Sequence, residues 1–456
     1  AVHANSIIRG VGGFDTALSE GASDYLAAVI TGDQGMGRGF FFNNQALRQV
    51  DPTNDEAVWP ADIDQDPHVT GLIFAGAMWD LRKTLISKYG DADGKILADR
   101  LWYAVLQRAA DIPSSYAEVV AADDDDGDVT NGTPNLCDIT AAFQAHGLAS
   151  GEGVGPQIGA ANRTDFDVSV TITGDALCPG SELNGAELVW EVRGSGGIGG
   201  RIPLSNNGGT LFSASIPQQP AGTVVRYRIE GQLASGEVKA LPDNAADPMY
   251  EFYVGPTVPL YCTDFEDDPF LEGWTHALLS GRNREGADDW AWGTPAGVEG
   301  SGDPTSALSG RGAIGNDMGG ENFNGAYQPG ISNEVVSPMI DTQGYTTVRL
   351  QYWRWLNVED GAFDKAEILA DGAILWSNLA EGTQADPGTN HTDKEWRFHD
   401  VDVSGQAGDG TVQIRYRMTT DRGVELGGWT IDDFCLVGVD TSVVPVCGNG
   451  QLEAGE

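Results

Sequence analysis

The chain has 456 residues, of which 41% are hydrophobic and 12 are tryptophan, so it has enough apolar material for several folded domains. Sixty-seven acidic residues against 26 basic ones give a formal net charge of −41. Such an excess repels phosphate backbones and anionic lipids, which excludes nucleic acid as an expected partner. The sequence also lacks any run of roughly 18 or more apolar residues, so no membrane span is predicted.

Residues 1–150 carry the sustained helical periodicity of the sequence. The pattern predicts helices over residues 16–30, 69–89, 93–110 and 138–146. The second of these is apolar around most of its circumference, which predicts that it is largely buried. A short polar linker at 150–153 then predicts a domain boundary.

The pattern changes to strands after this linker. Alternating apolar and polar residues over 167–173, 187–192 and 223–229 predict an antiparallel sandwich of immunoglobulin or fibronectin type, assigned to residues 151–256. Residues 257–440 predict a second and larger β unit, which holds eight of the twelve tryptophans. The expected fold class is therefore multidomain α+β, with a helical lobe followed by two β domains.

Five cysteines are present, at positions 137, 178, 262, 435 and 447, without the spacing of a zinc finger. Cys262 and Cys435 bracket the larger β unit, and Cys137 lies where it could reach Cys178 across a domain junction. We predict both disulfides, although sequence alone does not fix the pairing, and together they imply an oxidising compartment. Cys447 lies in residues 441–456, where the segment from Cys447 to Glu456 resembles the start of a Cys-rich repeat, so its partner is expected to have been lost by truncation.

Glu20 and Asp24 lie four residues apart in the first predicted helix and so face the same side. A glutamate at such a position can bind zinc while the aspartate orients a ligand imidazole through its second nitrogen. The alternative is an amphipathic helix with two acids facing solvent. The octapeptide from Leu18 to Tyr25 does not decide between them.

His68 stands at the start of the buried second helix, after Asp62, Asp64 and Asp66. A histidine there, with Asp66 to orient it, can donate a proton or stabilise an oxyanion. A simple role in capping the helix or facing solvent is the alternative. The two acidic residues of the first helix and this histidine follow each other within one helical region.

Residues 1–148 resemble the thermolysin-like and fungalysin-like zinc peptidases on the strength of Ala17 to Asp24 and of the His68 segment. The resemblance implies Glu20 as the third zinc ligand, Asp24 as its partner for a ligand histidine and His68 as the residue that stabilises the transition state. It also implies that a His-Glu-x-x-His sequence precedes the chain and that His3 is incidental. The tyrosine that thermolysin uses has no counterpart in residues 9–14.

A peptidase of this class uses a zinc-bound water that a glutamate deprotonates. One carboxylate cannot hold a catalytic zinc, so we expect the 456-residue chain alone to be inactive and the intact parent to cleave peptides.

The acidic loop at 123–128 gathers oxygen ligands of the kind that calcium prefers. Asp123, Asp125 and Asp128 are the predicted ligands, although the spacing is not that of an EF-hand. A solvated acidic turn is the alternative.

Residues 257–440 resemble the MAM-type jelly rolls of secreted peptidases such as the immune-inhibitor-A group, through residues 264–266, 290–295 and 428–433. If the first and last strands are neighbours, Glu266 and Asp433 converge and could share a calcium ion. Strand-end caps are the alternative. The tryptophans are expected in the core, although they could instead form a platform for sugars.

These features together predict a secreted zinc metalloendopeptidase, extracellular or attached to the cell surface, acting on protein or peptide substrates. The runner-up is a non-catalytic, calcium-dependent adhesin or carbohydrate-binding protein with glycan or cell-surface ligands.

Overall fold

The structure is a computed structural model of the 456-residue chain. It describes residues 16–53, 56–59, 62–64, 66–149, 155–174, 176–282, 287–297, 302–318, 325–379 and 389–439. His3, Cys447 and the predicted segment 441–456 lie outside the described residues. Among the helices of the described part, none is both long enough and apolar enough to cross a membrane.

The chain divides into two compact units. The first comprises Ala1–Gln157, Ile172–Asn184 and Leu233–Glu237. The second comprises Ile158–Thr171, Gly185–Gln232 and Val238–Glu456. The domain limits proposed from the sequence stay a prediction.

The described part of the first unit contains five α-helices and a short strand pair. The helices are α1 (Thr16–Thr31), α2 (Pro67–Tyr89), α3 (Asp91–Arg108), α4 (Ser115–Asp123) and α5 (Leu136–Ala145), and the strands are β1 (Gly35–Met36) and β2 (Arg48–Gln49). Helix α2 begins two residues before the predicted start, because Pro67 occupies its first turn and the Asp66 carboxylate accepts the backbone N–H of His68. Helix α4 lies where no helix was predicted.

Helices α1 and α2 cross in backbone contact. Gly21 and Gly71 face each other at the crossing, where a Cβ on Gly21 would lie 2.2 Å from the Gly71 carbonyl oxygen. Leu18, Tyr25, Phe74 and Met78 are fully or almost fully buried around this contact. The crossing therefore fixes the neighbours of these glycines, including Glu20, relative to the start of α2.

A disulfide joins two segments of the first unit. Cys137 in α5 is bonded to Cys178, which lies in the segment Ile172–Asn184. The bond closes a loop of 41 residues. This pairing is the one predicted.

Two sheets follow, formed from ten strands. The strands are β3 (Gln157–Ile158), β4 (Asn162–Thr164), β5 (Asp167–Thr173), β6 (Leu183–Val192), β7 (Gly199–Pro203), β8 (Ser205–Asn206), β9 (Leu211–Ser215), β10 (Val224–Leu233), β11 (Val238–Leu241) and β12 (Tyr250–Tyr253). One sheet has the order β3-β5-β9-β8 with β4 beside β5, and the other has the order β11-β10-β6-β7 with β12 beside β10. The three alternating stretches of the sequence lie in β5, β6 and β10, where every second side chain is buried over most of their length.

The remaining strands form the larger β unit. They are β13 (Thr257–Thr263), β14 (Thr275–Gly281), β15 (Trp290–Gly293), β16 (Ala313–Asn316), β17 (Ile331–Val336), β18 (Ile340–Asp341), β19 (Val348–Val358), β20 (Lys365–Ala370), β21 (Ala373–Ser377), β22 (His391–Thr392), β23 (Arg397–Asp402), β24 (Thr411–Val412), β25 (Ile414–Thr419) and β26 (Gly428–Val439). A seven-stranded sheet has the order β15-β16-β26-β19-β22, with β13 beside β26 and β23 beside β19. A five-stranded sheet has the order β14-β17-β25-β20-β21, and β18 pairs with β24.

Side chains from both sheets share one core, in which Tyr352 of β19 meets Tyr416 of β25 at 5.2 Å between ring centroids. The first and last strands of this unit pair in antiparallel register, and Cys262 and Cys435 are direct partners joined by a disulfide. The chain is thus mostly β-sandwich, with a jelly-roll-like larger part.

A buried set of ion pairs connects the segment before β12 with the larger β unit. Arg354, which is 1% exposed, contacts carboxylates of Asp247 and Asp393. Arg397 donates to the backbone carbonyls of Asp247 and Met249. Because each buried charge has an opposite partner, these contacts offset the cost of removing the ions from water.

Candidate functional site

Helices α1 and α2 bring Glu20 and His68 together at their crossing. Glu20 Oε2 lies 3.0 Å from His68 Nδ1, with the two side chains 34% and 43% exposed. The residues are far apart in sequence, and the glycine contact one residue after Glu20 places them side by side. A carboxylate and an imidazole at this distance on an open surface can share a proton or face a common ligand.

Asp24 binds an arginine that sequence reasoning missed. Arg48 of β2 donates to both Asp24 oxygens, at 2.5 Å through Nε and 2.7 Å through Nη2, in the paired geometry that Arg and carboxylate favour. The short strand pair of β1 and β2 carries Arg48 to this place. The Asp24 hydrogen bond raises the pKa of Arg48 above its usual value, so the arginine stays charged.

Arg48 also bears on the state of His68. Its Nη2 lies 3.2 Å from His68 Nδ1, the same nitrogen that faces Glu20. Arginine donates hydrogen bonds and cannot accept them, so this contact requires an unprotonated Nδ1, whereas a bond to Glu20 requires a protonated one. Only one of the two can be satisfied at a time.

Asp66 contacts the backbone of His68. Its Oδ1 accepts the His68 backbone N–H at 2.9 Å and caps α2. Asp66 was predicted to orient the His68 ring. The side chains that contact the ring nitrogen Nδ1 are instead Arg48 and Glu20.

The predicted zinc ligand and its neighbours can be compared with the needs of a zinc site. A catalytic zinc takes three protein ligands at about 2.0–2.3 Å. Within the part of the chain that the structure describes, Glu20, Asp24 and His68 do not form a group of three ligand atoms within 4.8 Å, and Asp24 is engaged by Arg48. The role of Glu20 as a zinc ligand stays a prediction, and no catalytic step follows from these residues alone.

The acidic loop places its carboxylates differently from the prediction. Asp123, which is 2% exposed, accepts the backbone N–H of Asn135 at 2.6 Å and its side-chain amide at 2.7 Å. Asp128 caps the 3₁₀ turn Val129–Asn131. The carboxylates that come within 4.8 Å of one another are Asp124, Asp125 and Asp126. Calcium binding in this loop stays a prediction, with only Asp125 shared between the predicted and the observed set.

Glu266 and Asp433 both bind the loop at 308–312. Glu266 Oε1 accepts the backbone N–H groups of Arg311 and Gly312 at 2.6 and 2.7 Å, and Asp433 Oδ1 accepts the Ser309 hydroxyl at 3.0 Å. Neither belongs to a group of three metal-ligand atoms among the described residues. The shared calcium ion stays a prediction. In the structure, the two carboxylates accept hydrogen bonds that hold this loop in place.

A cleft of about 510 Å³ lies in the second unit, between strand β12 and the outer face of β19 and β23. Its lining includes seven aromatic residues, Tyr227, Tyr250, Phe252, Tyr253, Trp353, Trp396 and Phe398. Trp353 and Phe398 are cross-strand partners with ring centroids 5.8 Å apart. Among the polar lining residues, burial raises the pKa of Glu395, which accepts the Tyr250 hydroxyl.

Some tryptophans of the larger β unit lie in its core, and two others line the cleft. Trp274, Trp290 and Trp429 are buried in its core, as expected. Trp353 and Trp396 are instead partly exposed in the cleft. Position 353 alternates with the buried residues 352 and 354 along β19, and this alternation was the available signal for an outward tryptophan.

No protein-family model matches the chain. The chain is similar to Bacillopeptidase F of Bacillus subtilis (strain 168), with 28% identity over 228 residues, which are 49% of this chain and 14% of that protein. The chain is thus a distant relative of a Bacillus peptidase and spans a small part of its length. The resemblance to the fungalysin and thermolysin clan stays a prediction.

Two solved structures are also similar in part. The K1 cleaved adhesin domain of Lys-gingipain from Porphyromonas gingivalis W83 aligns with a TM-score of 0.25 and 16% identity, over 41% of this chain and 99% of that one. SGBP-B from a complex xyloglucan utilization locus in Bacteroides uniformis aligns with a TM-score of 0.25 and 11% identity, over 62% of this chain and 73% of that one.

Proposed function

We propose that this chain is part of a secreted zinc metalloendopeptidase, with Glu20 as a zinc ligand and His68 as a catalytic residue. The observation that supports the proposal is the 3.0 Å approach of Glu20 and His68, two residues singled out independently from the sequence. The distant similarity to a Bacillus peptidase supports a peptidase as the parent protein. The two disulfides favour an oxidising, extracellular location.

The residues around His68 support a role for this histidine in the proposed reaction. A bound zinc would supply a Lewis acid for the peptide carbonyl and its attacking water. With Glu20 turned to the metal, Arg48 donates to His68 Nδ1, and the ring proton then resides on Nε2. His68 can present this proton to a developing oxyanion. Asp24 holds Arg48 in place through two hydrogen bonds.

Activity assays on two lengths of protein test this proposal. The 456-residue chain should not cleave casein, because Glu20 is one ligand and a catalytic zinc beside His68 requires three. A longer form that includes a His-Glu-x-x-His sequence should cleave casein and lose activity with a zinc chelator. In that form, His68→Ala should lower kcat by about 10²- to 10³-fold with little change in zinc content.

Arg48→Lys in the longer form separates positioning from catalysis. Lysine cannot span both Asp24 oxygens as a planar guanidinium does, so kcat should fall while KM changes little.

Equal activity of the Glu20→Gln form and the parent would contradict the assignment of Glu20. Chelator-sensitive cleavage by the 456-residue chain itself would contradict the expectation that Glu20 alone does not hold a catalytic zinc.

Carbohydrate binding is a second candidate, favoured by the aromatic cleft of the second unit. Partly exposed rings such as Trp353 and Trp396 offer flat apolar faces, and Glu395, Asn162 and Arg163 add polar groups around them. A concave site with aromatic walls and a few polar groups is the usual form of a small-ligand pocket.

A glycan array probed with the 456-residue chain tests this candidate. Trp353→Ala should abolish any binding that the array detects, whereas Trp292→Ala, an exposed tryptophan outside the cleft, should retain it. Absence of binding to every glycan, or equal loss in both variants, would count against a sugar site in the cleft.

A further inference from the structure

His146 is a fully buried histidine at the end of α5 whose ring points to two carboxylates. Its Nδ1 lies 2.8 Å from the Ala57 carbonyl oxygen, which can only accept, so Nδ1 carries the proton. Its Nε2 has no hydrogen-bond partner of good geometry among the described residues. The same Nε2 lies 3.2 Å from Glu56 Oε2 and 3.6 Å from Asp80 Oδ2.

We propose that Glu56, Asp80 and His146 bind one divalent transition-metal ion, with zinc as the best fit. Their three ligand atoms lie within 4.8 Å of one another. Ligand atoms about 2.0–2.2 Å from a tetrahedral zinc are roughly 3.4 Å apart. The two distances from His146 Nε2 lie on either side of this value. An imidazole with two carboxylates suits zinc better than calcium, which prefers six or more oxygen atoms.

The contacts behind the ligands are those of a metal site. The Ala57 carbonyl fixes the ring so that the Nε2 lone pair is directed at the carboxylates, which is how histidine ligands are usually oriented. Asp80 is held through its other oxygen by Lys83 Nζ at 2.6 Å. Gly76, one helical turn before Asp80, leaves room for the ring, since a Cβ there would lie 2.5 Å from His146 Cε1.

The charge around the cluster matches a divalent cation. Asp51, Glu56 and Asp80 contribute three negative charges, and Lys83, bound to Asp51 and Asp80, contributes one positive charge. With a neutral imidazole the set has a net charge of −2. Partial exposure of Glu56 and Asp80, at 34% and 26%, leaves an entry path for the ion.

A proton is the competing occupant of Nε2. Burial lowers the pKa of His146, but the contacts with Asp80, the Ala57 carbonyl and Glu56 raise it by more, so the ring takes up a proton more readily than a free histidine. Zinc binding is therefore best measured at a pH above neutrality, where the metal ion displaces this proton.

Titration of the 456-residue chain with zinc chloride, after removal of metals with EDTA, tests the proposal. Isothermal calorimetry at pH 7.5 should detect a tight site, and zinc should shift the Nε2 resonance of His146 in nitrogen-15 NMR spectra. Glu56→Gln and Asp80→Asn should each weaken binding about 100-fold. Glu56→Gln changes a partly exposed side chain, so its circular dichroism should match the parent and exclude unfolding as the cause.

Glu20→Gln is the matched control because Glu20 is the other carboxylate assigned to zinc, and it should keep the tight site. This control makes the outcome independent of the proposed peptidase function. The inference is overturned if the parent chain takes up no zinc, if Glu56→Gln binds as tightly as the parent, or if binding is lost with Glu20→Gln alone.

Discussion

At the scale of single residues, Asp289 shows the cost of a buried carboxylate. It is 4% exposed, and its Oδ1 accepts the side-chain amides of Asn316 and Asn333. Its Oδ2 has no hydrogen-bond partner among the described residues. Burial, with a smaller contribution from the Asp317 charge, raises the pKa of Asp289 to about 7.

This raised pKa predicts a pH-dependent stability. The folded protein keeps a proton on Asp289 that the unfolded chain releases near its ordinary pKa of 3.8. The free energy of unfolding should therefore fall as the pH rises from about 4 to about 7. Asp289→Asn, which imitates the protonated form, should be more stable than the parent by about 2–4 kcal/mol at pH 8 and similar to it at pH 4.

Urea unfolding of the two proteins at several pH values measures this difference. Asp267→Asn, a change at an exposed aspartate of the same β unit, is the control and should follow the parent. A constant difference between Asp289→Asn and the parent across the pH range would contradict the raised pKa.

The sequence predicted the roles of residues in local motifs better than the contacts between residues that are distant along the chain. Glu20 and His68 could be singled out because each stands in a recognisable helical setting. Arg48 could not, because nothing in residues 45–50 shows that a two-residue strand carries its guanidinium to Asp24. The partnership of His146 with Glu56 was hidden for the same reason, since 90 positions separate them and only packing joins them.

At the scale of elements, periodicity and cysteine placement were informative. Four helices begin within two residues of their predicted starts, because apolar periodicity and capping residues are local signals. The pairing of β13 with β26 was predicted from two cysteines, which are direct register partners. Strand order in the two large sheets depends on contacts between distant segments and was not accessible.

The disulfide between these first and last strands should contribute strongly to stability. It closes a loop of 173 residues, and the loss of that constraint from the unfolded chain costs up to about 5 kcal/mol in the chain-entropy model. The double variant Cys262→Ala/Cys435→Ala should therefore unfold at a lower urea concentration, and its free energy of unfolding should be lower by about 2–5 kcal/mol.

The second disulfide provides the comparison for this prediction. Cys137–Cys178 closes a loop of 41 residues in the first unit, for which the same model gives up to about 4 kcal/mol. Its removal should leave the tryptophan signal of the larger β unit unchanged. An unaltered unfolding transition after loss of Cys262–Cys435 would contradict this prediction, because it would mean that the disulfide contributes nothing to the stability of the paired strands.

At the scale of the whole molecule, the dominant property is the net charge of −41. Buried ion pairs such as Arg354 with Asp393 are locally balanced, so the excess acts mainly through exposed carboxylates that repel one another. Dissolved salt screens charges more than about 10 Å apart at 0.1 M, which weakens this repulsion in the compact state.

Sodium chloride should therefore stabilise the protein at neutral pH. Raising it from 10 mM to 0.5 M should increase the free energy of unfolding by about 1–2 kcal/mol, which corresponds to a rise of several degrees in Tm. Differential scanning calorimetry in the presence of EDTA measures the shift without contributions from divalent ions. At pH 4.5, close to the isoelectric point of about 4.2, most of the repulsion is gone and the same salt step should have little effect. An equal rise in Tm at both pH values would attribute the stabilisation to general salt effects on apolar surface, and would rule out relief of charge repulsion as its source.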